Sequence, residues 1–241
     1  MTEKAKPRVA IIILNYNGIE DTLECLESLK KCTYPNFEVV LVENGSEKDQ
    51  VDEVKKIRMD NFSVIYNKEN LGFAGGNNVA IKKVVEEGKC EYIYFLNNDT
   101  VVEPDFLDWA VKMAESDEKI GIVNSLSLQY YNSNLVDNVG LDLLDSGNFV
   151  TRGRYIKKDK FTNSCDLISA SGCCSLYRIN SILDVGVFDE SYFLYCEDVD
   201  LSIRCVLNGW KCIYEPKSVI SHKMSVSTNK VINYELIWFK F

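Results

Sequence analysis

Short, unbroken apolar runs alternate with helical patterns of apolar residues through the first half of the chain. Residues 9–14 are apolar at every position, and apolar residues then recur at helical spacing from Ile19 to Leu29. An unbroken apolar run is typical of a strand buried on both faces of a parallel sheet. The pattern therefore predicts an α/β fold, with a mostly parallel central sheet flanked by helices. The predicted strands are 9–14, 37–42, 62–66 and 92–96, and the predicted helices are 19–29, 47–58, 76–87 and 104–116.

The pattern changes beyond residue 120, where isolated apolar runs alternate with long polar loops. The runs 120–130 and 167–177 predict extended segments of the same sheet. From about Asp198, apolar residues again recur at helical spacing, and Gly209 follows as a natural end. We therefore expect a helix of roughly three turns between these two residues.

Polar residues follow three of the predicted strands at the point where each strand ends. The carboxyl ends of parallel strands lie at one edge of an open α/β sheet, and ligands bind in the crevice along that edge. The sequence therefore predicts a ligand crevice lined by residues of these three groups. They are Asn15-Tyr16-Asn17, Glu43-Asn44-Gly45 and Asn97-Asn98-Asp99.

A glycine-rich segment, residues 70–78 with the sequence NLGFAGGNN, follows the third strand and opens a helix. Glycines allow the backbone to approach a ligand closely, and the N–H groups at a helix start can bind an anion. Taken alone, the segment is better explained by a plain helix-opening turn. The dinucleotide fingerprint Gly-x-Gly-x-x-Gly and the P-loop are both missing from the sequence, so those two classes of site lose their main support.

Asp99 and His222 are candidate ligands of a divalent cation. Asp99 ends a buried strand, where a single carboxylate can hold a cation against a diphosphate, although an Asx turn explains the same residue equally well. His222 is the only histidine and lies in a polar segment. An imidazole beside Asp99 suits Mn²⁺ and tolerates Mg²⁺, so the two residues together predict a cation site.

Acidic residues cluster at the start of the last predicted helix. Glu197, Asp198 and Asp200 fall in its first turn, directly after the aromatic residues of 192–195. One acid is enough to satisfy the free N–H groups and the dipole of a helix start. The cluster with its aromatic neighbours favours a carboxylate at the edge of a pocket, where it acts as a general base.

Composition narrows the class of protein. The formal net charge of −9 argues against a nucleic-acid partner, because phosphate contacts need clustered Lys and Arg. The nine cysteines are odd in number and form no Cys-x-x-Cys pair, which favours buried thiols in a reducing cytoplasm. At 241 residues the chain is within the range of one large domain, and we place a single domain over 1–241 with halves of about 1–118 and 119–241.

Seven ordered segments together resemble the inverting glycosyltransferases of family 2, which have a GT-A fold. The likeness covers nearly the whole chain, and it is strongest to the rhamnosyltransferase-type members that build surface polysaccharide. Each segment is weak alone, and the combined order is highly specific. The segments are 12–18 (IILNYNG), 42–46 (VENGS), 70–78, 96–99 (LNND), 186–190 (GVFDE), 195–200 (YCEDVD) and 222–225 (HKMS).

The resemblance implies a Rossmann-like nucleotide-binding half fused to an acceptor-binding half. It implies Asp198 as the catalytic base with Glu197 beside the transferred sugar, and Asp99 and His222 on a Mn²⁺ or Mg²⁺ ion. Two departures from the family pattern matter: Glu43 replaces the usual Asp, and Asn97 replaces an acid of the metal motif. The implied nucleotide-sugar-binding residues are Tyr16, Asn17, Glu43, Asn70, Gly72, Asn77 and Asn98.

The implied partners are a nucleoside-diphosphate sugar, either dTDP-rhamnose or a UDP-sugar, and a glycan or lipid-linked acceptor. A sugar-phosphate nucleotidyltransferase and a non-catalytic nucleotide-sugar-binding protein remain alternatives. The apolar, aromatic-rich residues 234–241 predict peripheral contact with the inner face of the cytoplasmic membrane. Completion of the core by the same residues is the competing interpretation.

Overall fold

The computed structural model describes residues 6–224, and all elements below lie in that range. The strands are β1 (Val9–Asn15), β2 (Phe37–Asn44), β3 (Phe62–Asn67), β4 (Tyr92–Asn97), β5 (Thr100–Val102), β6 (Ile120–Gln129), β7 (Asn132–Asn138), β8 (Leu141–Leu143), β9 (Phe149–Thr151), β10 (Cys165–Leu167), β11 (Cys174–Arg178) and β12 (Lys211–His222). The helices are α1 (Ile19–Leu29), α2 (Lys48–Val54), α3 (Gly72–Glu87), α4 (Phe106–Ala114), α5 (Ile179–Val185) and α6 (Glu197–Leu207).

The central sheet is mixed and mostly parallel, as the sequence predicts. Its strand order is β10-β12-β6-β11-β4-β1-β2-β3, with β5 also paired to β12 and β7 to β6. β1, β2, β3 and β4 run parallel to one another, and β11 is antiparallel to both β4 and β6. β12 is parallel to β6, so its carboxyl end lies at the same edge of the sheet as the carboxyl ends of β1, β2 and β4.

Helices cover both faces of this sheet because the strands bury their side chains on both sides. In β1, Ile11 and Ile13 point to one face, and Ala10 and Ile12 point to the other. The first face packs on α1 and α4, and the second packs on α3, α5 and α6. The unbroken apolar run of β1 is the direct consequence.

Helix α3 begins at Gly72, four residues before the predicted start. The glycines of its first turns have low helix propensity, which is why the sequence favours a loop there. The helix instead needs them for close packing: a Cβ on Gly76 would lie 2.5 Å from Leu14 Cδ1 of β1. Tertiary contact therefore decides the conformation of this segment.

The predicted extended run 167–177 is divided into two strands. β10 pairs with β12, whereas β11 lies between β4 and β6. One continuous strand cannot occupy both places in the sheet, so the chain turns at residues 168–173. The start of α6 is within one residue of the prediction, and Gly209 has the expected left-handed φ of 91° just beyond its end.

In the part of the chain that the structure describes, no helix has the length and apolar character needed to cross a bilayer. The aromatic-rich residues 234–241, on which the predicted membrane contact rests, lie outside the described range.

Candidate active site

Glu43 is buried at the end of β2, with both carboxylate oxygens bonded inside the protein. Asn15 Nδ2 donates to Oε2 at 2.5 Å, and the Ser46 backbone N–H donates to Oε1 at 2.7 Å. Asn17 joins this group because its own N–H donates to Ser46 Oγ at 2.9 Å. Tyr16, between Asn15 and Asn17, is half-buried. Three of the predicted nucleotide-binding residues, Tyr16, Asn17 and Glu43, therefore lie on one side of the crevice.

Asn44, which the sequence placed only among the residues lining the crevice, holds the glycine-rich segment in place. Its Nδ2 donates to Asn70 Oδ1 at 2.9 Å and to the Gly72 carbonyl at 3.2 Å. Its Oδ1 accepts from Asn67 Nδ2 at 2.9 Å and from the Leu71 N–H at 3.2 Å. The buried amide thus makes four contacts, and it fixes Asn70 and Gly72 beside the end of β2.

The start of α3 also contacts the segment that precedes the acidic cluster. The Phe73 N–H donates to the Phe193 carbonyl at 2.8 Å. Gly72 has a φ of +73°, and a Cβ there would lie 2.3 Å from the same carbonyl oxygen. Asn77 is buried and donates from its side chain to the Phe73 carbonyl at 2.9 Å, so this amide nitrogen is bonded within the helix.

Asn98 supports the beginning of α1. Its side-chain nitrogen donates to the Gly18 carbonyl at 3.2 Å and to Thr22 Oγ1 at 3.0 Å. Its neighbour Asp99 is buried in the turn between β4 and β5. Asn98 therefore braces the turn that carries Asp99.

Asp99 and His222, 123 positions apart in the chain, meet at this edge of the sheet as the sequence predicts. His222 is the last residue of β12 and pairs in register with Thr100 of β5. Its Nε2 lies 3.1 Å from Asp99 Oδ1, and this buried nitrogen has no hydrogen-bond partner among the described residues. An unpartnered imidazole nitrogen beside a carboxylate oxygen fits a cation bound between them.

The other ring nitrogen of His222 contacts Asp137 of β7, a residue that sequence reasoning missed. Nδ1 lies 2.9 Å from Asp137 Oδ2. Burial lowers the pKa of His222, but the Cys173 sulfur and the carboxylates of Asp137 and Asp99 raise it, and the net pKa lies well above the usual value. Burial raises the pKa of Asp137, but its bonds with His222 and Arg154 outweigh burial and lower it.

The turn between β10 and β11 connects the cation site to the acidic cluster. The Gly172 N–H donates to Asp198 Oδ2 at 2.8 Å. The next residue, Cys173, accepts a bond from the Asn97 N–H at 2.9 Å through its carbonyl, and its sulfur raises the pKa of His222. Adjacent residues of one turn therefore bond Asp198 and the end of β4, which leads to Asp99.

Asp198 lies in the first turn of α6 with its carboxylate turned toward this junction. Oδ2 accepts from Gly172, and Oδ1 accepts from the Val199 N–H at 2.8 Å. Burial raises the pKa of Asp198, and the bonds from Gly172 and Val199 oppose that shift. A raised pKa makes a carboxylate a better proton acceptor near neutral pH.

Glu197 is more strongly perturbed than its neighbour. Its side chain is buried, and Oε2 has no hydrogen-bond partner in the described part of the chain. Burial, and next the charge of Asp198, raise the pKa of Glu197 to about 8. Strongly shifted acids beside a crevice are typical of catalytic sites.

Comparisons with known proteins identify similar proteins that are glycosyltransferases or polysaccharide synthases. An uncharacterized glycosyltransferase of Rickettsia typhi is 29% identical over 248 residues, which cover 98% of this chain and 71% of that protein. The poly-beta-1,6-N-acetyl-D-glucosamine synthase of Staphylococcus aureus is 26% identical over 212 residues. Those residues cover 86% of this chain and 48% of the synthase, so the chain spans about half the length of that relative.

The crystal structure of GalNAc-T7 with UDP, GalNAc and Mn²⁺ shares the fold, with a TM-score of 0.74 at 15% identity. The match covers 91% of this chain and 44% of GalNAc-T7. The GT-A fold implied by the sequence motifs is therefore confirmed. The family model described as glycosyl transferase family 2 matches residues 10–186, most of the chain. The family model and the fold agree, and this protein belongs to glycosyl transferase family 2.

Proposed function

We propose that this protein transfers a sugar from a nucleoside-diphosphate sugar to an acceptor hydroxyl with inversion at the anomeric carbon. One observation carries the proposal: His222 Nε2 lies 3.1 Å from Asp99 Oδ1, and the turn at Gly172 and Cys173 bonds Asp198 on one side and the end of β4, just before Asp99, on the other. One turn thereby connects a candidate base with the strand end that carries a candidate cation ligand. A direct displacement needs a base at the attacking hydroxyl and charge stabilisation at the leaving group.

The donor occupies the crevice between the end of β2 and the start of α3. Tyr16, Asn17 and Glu43 form the wall toward the base and ribose, and Asn70 and Gly72 form the rim above the diphosphate. Each oxygen of the Glu43 carboxylate accepts one hydrogen bond, from Asn15 or from Ser46, and these bonds fix the carboxylate in the wall of the pocket. Asn77 and Asn98 support the pocket from behind, since their amide nitrogens are bonded within the protein.

Asp99 and His222 would hold the divalent cation, Mn²⁺ or Mg²⁺. Among the described residues, no group of three or more His, Cys, Asp or Glu side chains is placed to bind a metal ion. The donor diphosphate and water would supply the remaining ligands, as in other nucleotide sites. When bound, the cation neutralises charge that develops on the leaving diphosphate.

Asp198 takes the proton from the acceptor hydroxyl. Each of its oxygens accepts one backbone hydrogen bond, which fixes the carboxylate and leaves a lone pair on each oxygen. Glu197 lies beside the transferred sugar, and its raised pKa favours the neutral acid below about pH 8. The two carboxyls then carry one negative charge between them, on the residue that acts as base.

We further propose dTDP-rhamnose or a UDP-sugar as the donor and a glycan or a lipid-linked hydroxyl as the acceptor. The relative that makes poly-beta-1,6-N-acetyl-D-glucosamine supports a polysaccharide product. Nine free thiols, five of them buried, are consistent with the reducing environment of the cytoplasm. With a lipid-linked acceptor, the protein would act at the inner face of the cytoplasmic membrane.

Turnover of labelled donors by the full chain tests this proposal. Uridine and thymidine diphosphate sugars are screened with Mn²⁺ and a set of glycan acceptors, and NMR gives the anomeric configuration of the product. We expect one donor class to be consumed with inversion. Retention of configuration would contradict the single displacement, and pyrophosphate release from a nucleoside triphosphate and a sugar phosphate would identify a nucleotidyltransferase. Tight donor binding without turnover would identify a binding protein.

A further inference from the structure

Asp137 is an almost fully buried carboxylate beside the proposed cation site, although it is far in sequence from every other site residue. It lies near the end of β7 and is 1% exposed. An ionised carboxylate is costly to bury unless charged or polar groups compensate it. Here Ser127 Oγ donates at 3.1 Å, Arg154 lies at 3.3 Å, and His222 Nδ1 lies at 2.9 Å.

We propose that Asp137 is a positioning residue that fixes the tautomer and orientation of His222 for cation binding. This inference rests on the proposed function, because it assumes that Nε2 of His222 is the nitrogen that binds the cation. A neutral imidazole carries one N–H and one lone pair. Donation of the Nδ1–H to Asp137 leaves the lone pair on Nε2, which faces Asp99 at 3.1 Å.

The positions of Asp99 and Asp137 indicate which carboxylate accepts the N–H of His222 and which shares the cation with it. Asp99 and Asp137 lie on opposite edges of one imidazole ring, so each ring nitrogen faces its own carboxylate. Only one of them can be the hydrogen-bond acceptor of a neutral imidazole while the other shares a cation with it. Asp137 has Ser127 and Arg154 as further partners, which hold the carboxylate in place as an acceptor. Partners of this kind orient histidine ligands and raise metal affinity about 10- to 100-fold.

The same arrangement connects the cation site to the second half of the chain. Arg154 follows β9, and its guanidinium bonds the Oδ1 oxygen of Asp137 that His222 does not use. Residues of β7 and of the loop after β9 thereby control the ring of His222 without contacting the cation themselves. The sequence motifs on Asp99 and His222 contain no sign of this third residue.

The tautomer of His222 is directly measurable because it is the only histidine in the chain. The full-length protein is labelled with ¹⁵N-histidine, and long-range ¹H–¹⁵N NMR is recorded without donor or metal, at a pH high enough for the ring to be neutral. We expect a single tautomer protonated at Nδ1. A wild-type ring protonated at Nε2 would overturn the proposal, and this result does not depend on any variant folding or on any transfer activity.

Mn²⁺ affinity in the presence of UDP provides the second readout, measured by electron paramagnetic resonance. We expect Asp137→Ala to weaken Mn²⁺ binding about 10- to 100-fold, and Asp137→Asn, which keeps an acceptor oxygen, to weaken it less. Asp142→Ala is the control, because it removes the same charge from an exposed site on β8. It should leave the affinity unchanged.

A double-mutant cycle separates positioning from a general structural role. In a His222→Ala background, Asp137→Ala should cause no further loss of Mn²⁺ affinity, because it acts only through the imidazole. Equal losses in both backgrounds would overturn the proposal. Failure of the proposed transferase activity is a distinct result, since donor turnover is absent from both measurements.

Discussion

The Glu197 carboxyl is buried in an environment that cannot stabilise its negative charge. Its side chain is 5% exposed, one oxygen has no hydrogen-bond partner among the described residues, and Asp198 is the next residue. Burial and the neighbouring charge raise the pKa of Glu197 to about 8, compared with an ordinary value of 4.5. Such a group lowers stability at neutral pH, which is a common feature of functional sites.

We expect Glu197→Gln to raise thermal stability, with a gain that grows with pH. Below pH 4.5 the acid is protonated in both folded and unfolded chains, so it contributes no difference. Between pH 4.5 and about 8, Glu197 is ionised in the unfolded chain but protonated in the native state. The free energy of unfolding therefore falls by roughly 1.4 kcal/mol per pH unit because of this group. Glutamine has no such loss. The melting temperatures of both proteins at pH 5 and pH 8 measure the effect.

Glu20→Gln is the matched control, because Glu20 is exposed in the first turn of α1. It removes one negative charge without changing a buried site, so its melting temperature should follow that of the wild type at both pH values. A Glu197→Gln gain that is equal at pH 5 and pH 8 would show that the residue ionises normally in the native state.

Asp198→Asn should abolish sugar transfer while donor binding persists. Loss of a general base typically costs about 10²- to 10⁴-fold in rate. The asparagine amide fits the site but opposes one of the two N–H donors, Gly172 or Val199, so a small loss of stability is expected as well. The measurement is kcat with labelled donor, alongside UDP affinity.

Asp200→Asn provides the comparison from the same helix turn. Asp200 pairs with Arg204 through bonds of 2.8 and 2.9 Å, whereas Gly172 bonds Asp198. It should retain most of the wild-type kcat. A value of kcat in Asp198→Asn above half that of the wild type would exclude Asp198 as the base.

At the scale of elements, the start of α3 and the segment before α6 form one unit. The Phe73 N–H bonds the Phe193 carbonyl, and Gly72 makes room for the same carbonyl. Tyr195 and Cys196, directly before α6, both have left-handed backbone angles, with φ of 74° and 72°. This uncommon conformation costs energy, and it turns the chain so that Glu197 and Asp198 start the helix beside the crevice.

Gly72→Ala should therefore damage both stability and donor binding. The added Cβ would meet the Phe193 carbonyl oxygen at 2.3 Å, a backbone atom that cannot move alone. We expect a loss of about 2 kcal/mol or more in the free energy of unfolding, from steric overlap and the positive φ together. Urea unfolding and UDP titration measure the two effects.

Gly88→Ala is the control that measures the cost of a positive φ alone, without a steric contact. Gly88 ends the same helix with φ of +61°, and outside its own chain neighbours and helix backbone no atom lies within 4 Å of the place that an added Cβ would take. The substitution should cost about 1 kcal/mol and leave UDP affinity unchanged. If the two variants behave alike, the contact between α3 and residue 193 has no role in the site.

The elements that the sequence predicts best are those whose apolar spacing reflects local burial. β1 is apolar on both faces because α1 and α3 cover it, and the pattern shows this directly. The predicted start of α3 was wrong because Gly76 packs closely against Leu14. Helix propensity does not include such a tertiary contact. The prediction of one extended run over 167–177 was wrong because strand order in the sheet is a non-local property.

At the scale of the whole molecule, the proposed cation site joins segments from both halves of the chain. Asp99 follows β4, His222 ends β12, and Asp137 lies near the end of β7. Residue type and family motif were enough to pair Asp99 with His222. Asp137 was missed because an aspartate in the segment NLVDN has no distinguishing pattern, and only the pairing of β7 with β6 brings it to the imidazole.

Asp99→Ala and His222→Ala should each weaken Mn²⁺-dependent nucleotide binding, and the double variant should add little. Residues that share one ligand lose it together, so their effects are not additive. UDP affinity is measured with Mn²⁺ and with EDTA for the wild type and the three variants. EDTA should lower the UDP affinity most in the wild type and much less in the three variants. Equal dependence on Mn²⁺ in all four proteins would exclude a shared site.

The four contacts of Asn44 have a consequence for how the donor is captured. This amide already holds Asn70, Leu71 and Gly72 before any nucleotide arrives. The rim formed by these residues therefore needs little ordering on binding, and that part of the affinity carries a small entropic cost. Hydrogen exchange should show the Leu71 amide slow in the free protein and nearly unchanged when UDP binds. The donor therefore binds to a pre-organised rim. Its association rate on this side of the crevice should be limited by diffusion and not by a conformational change of the protein.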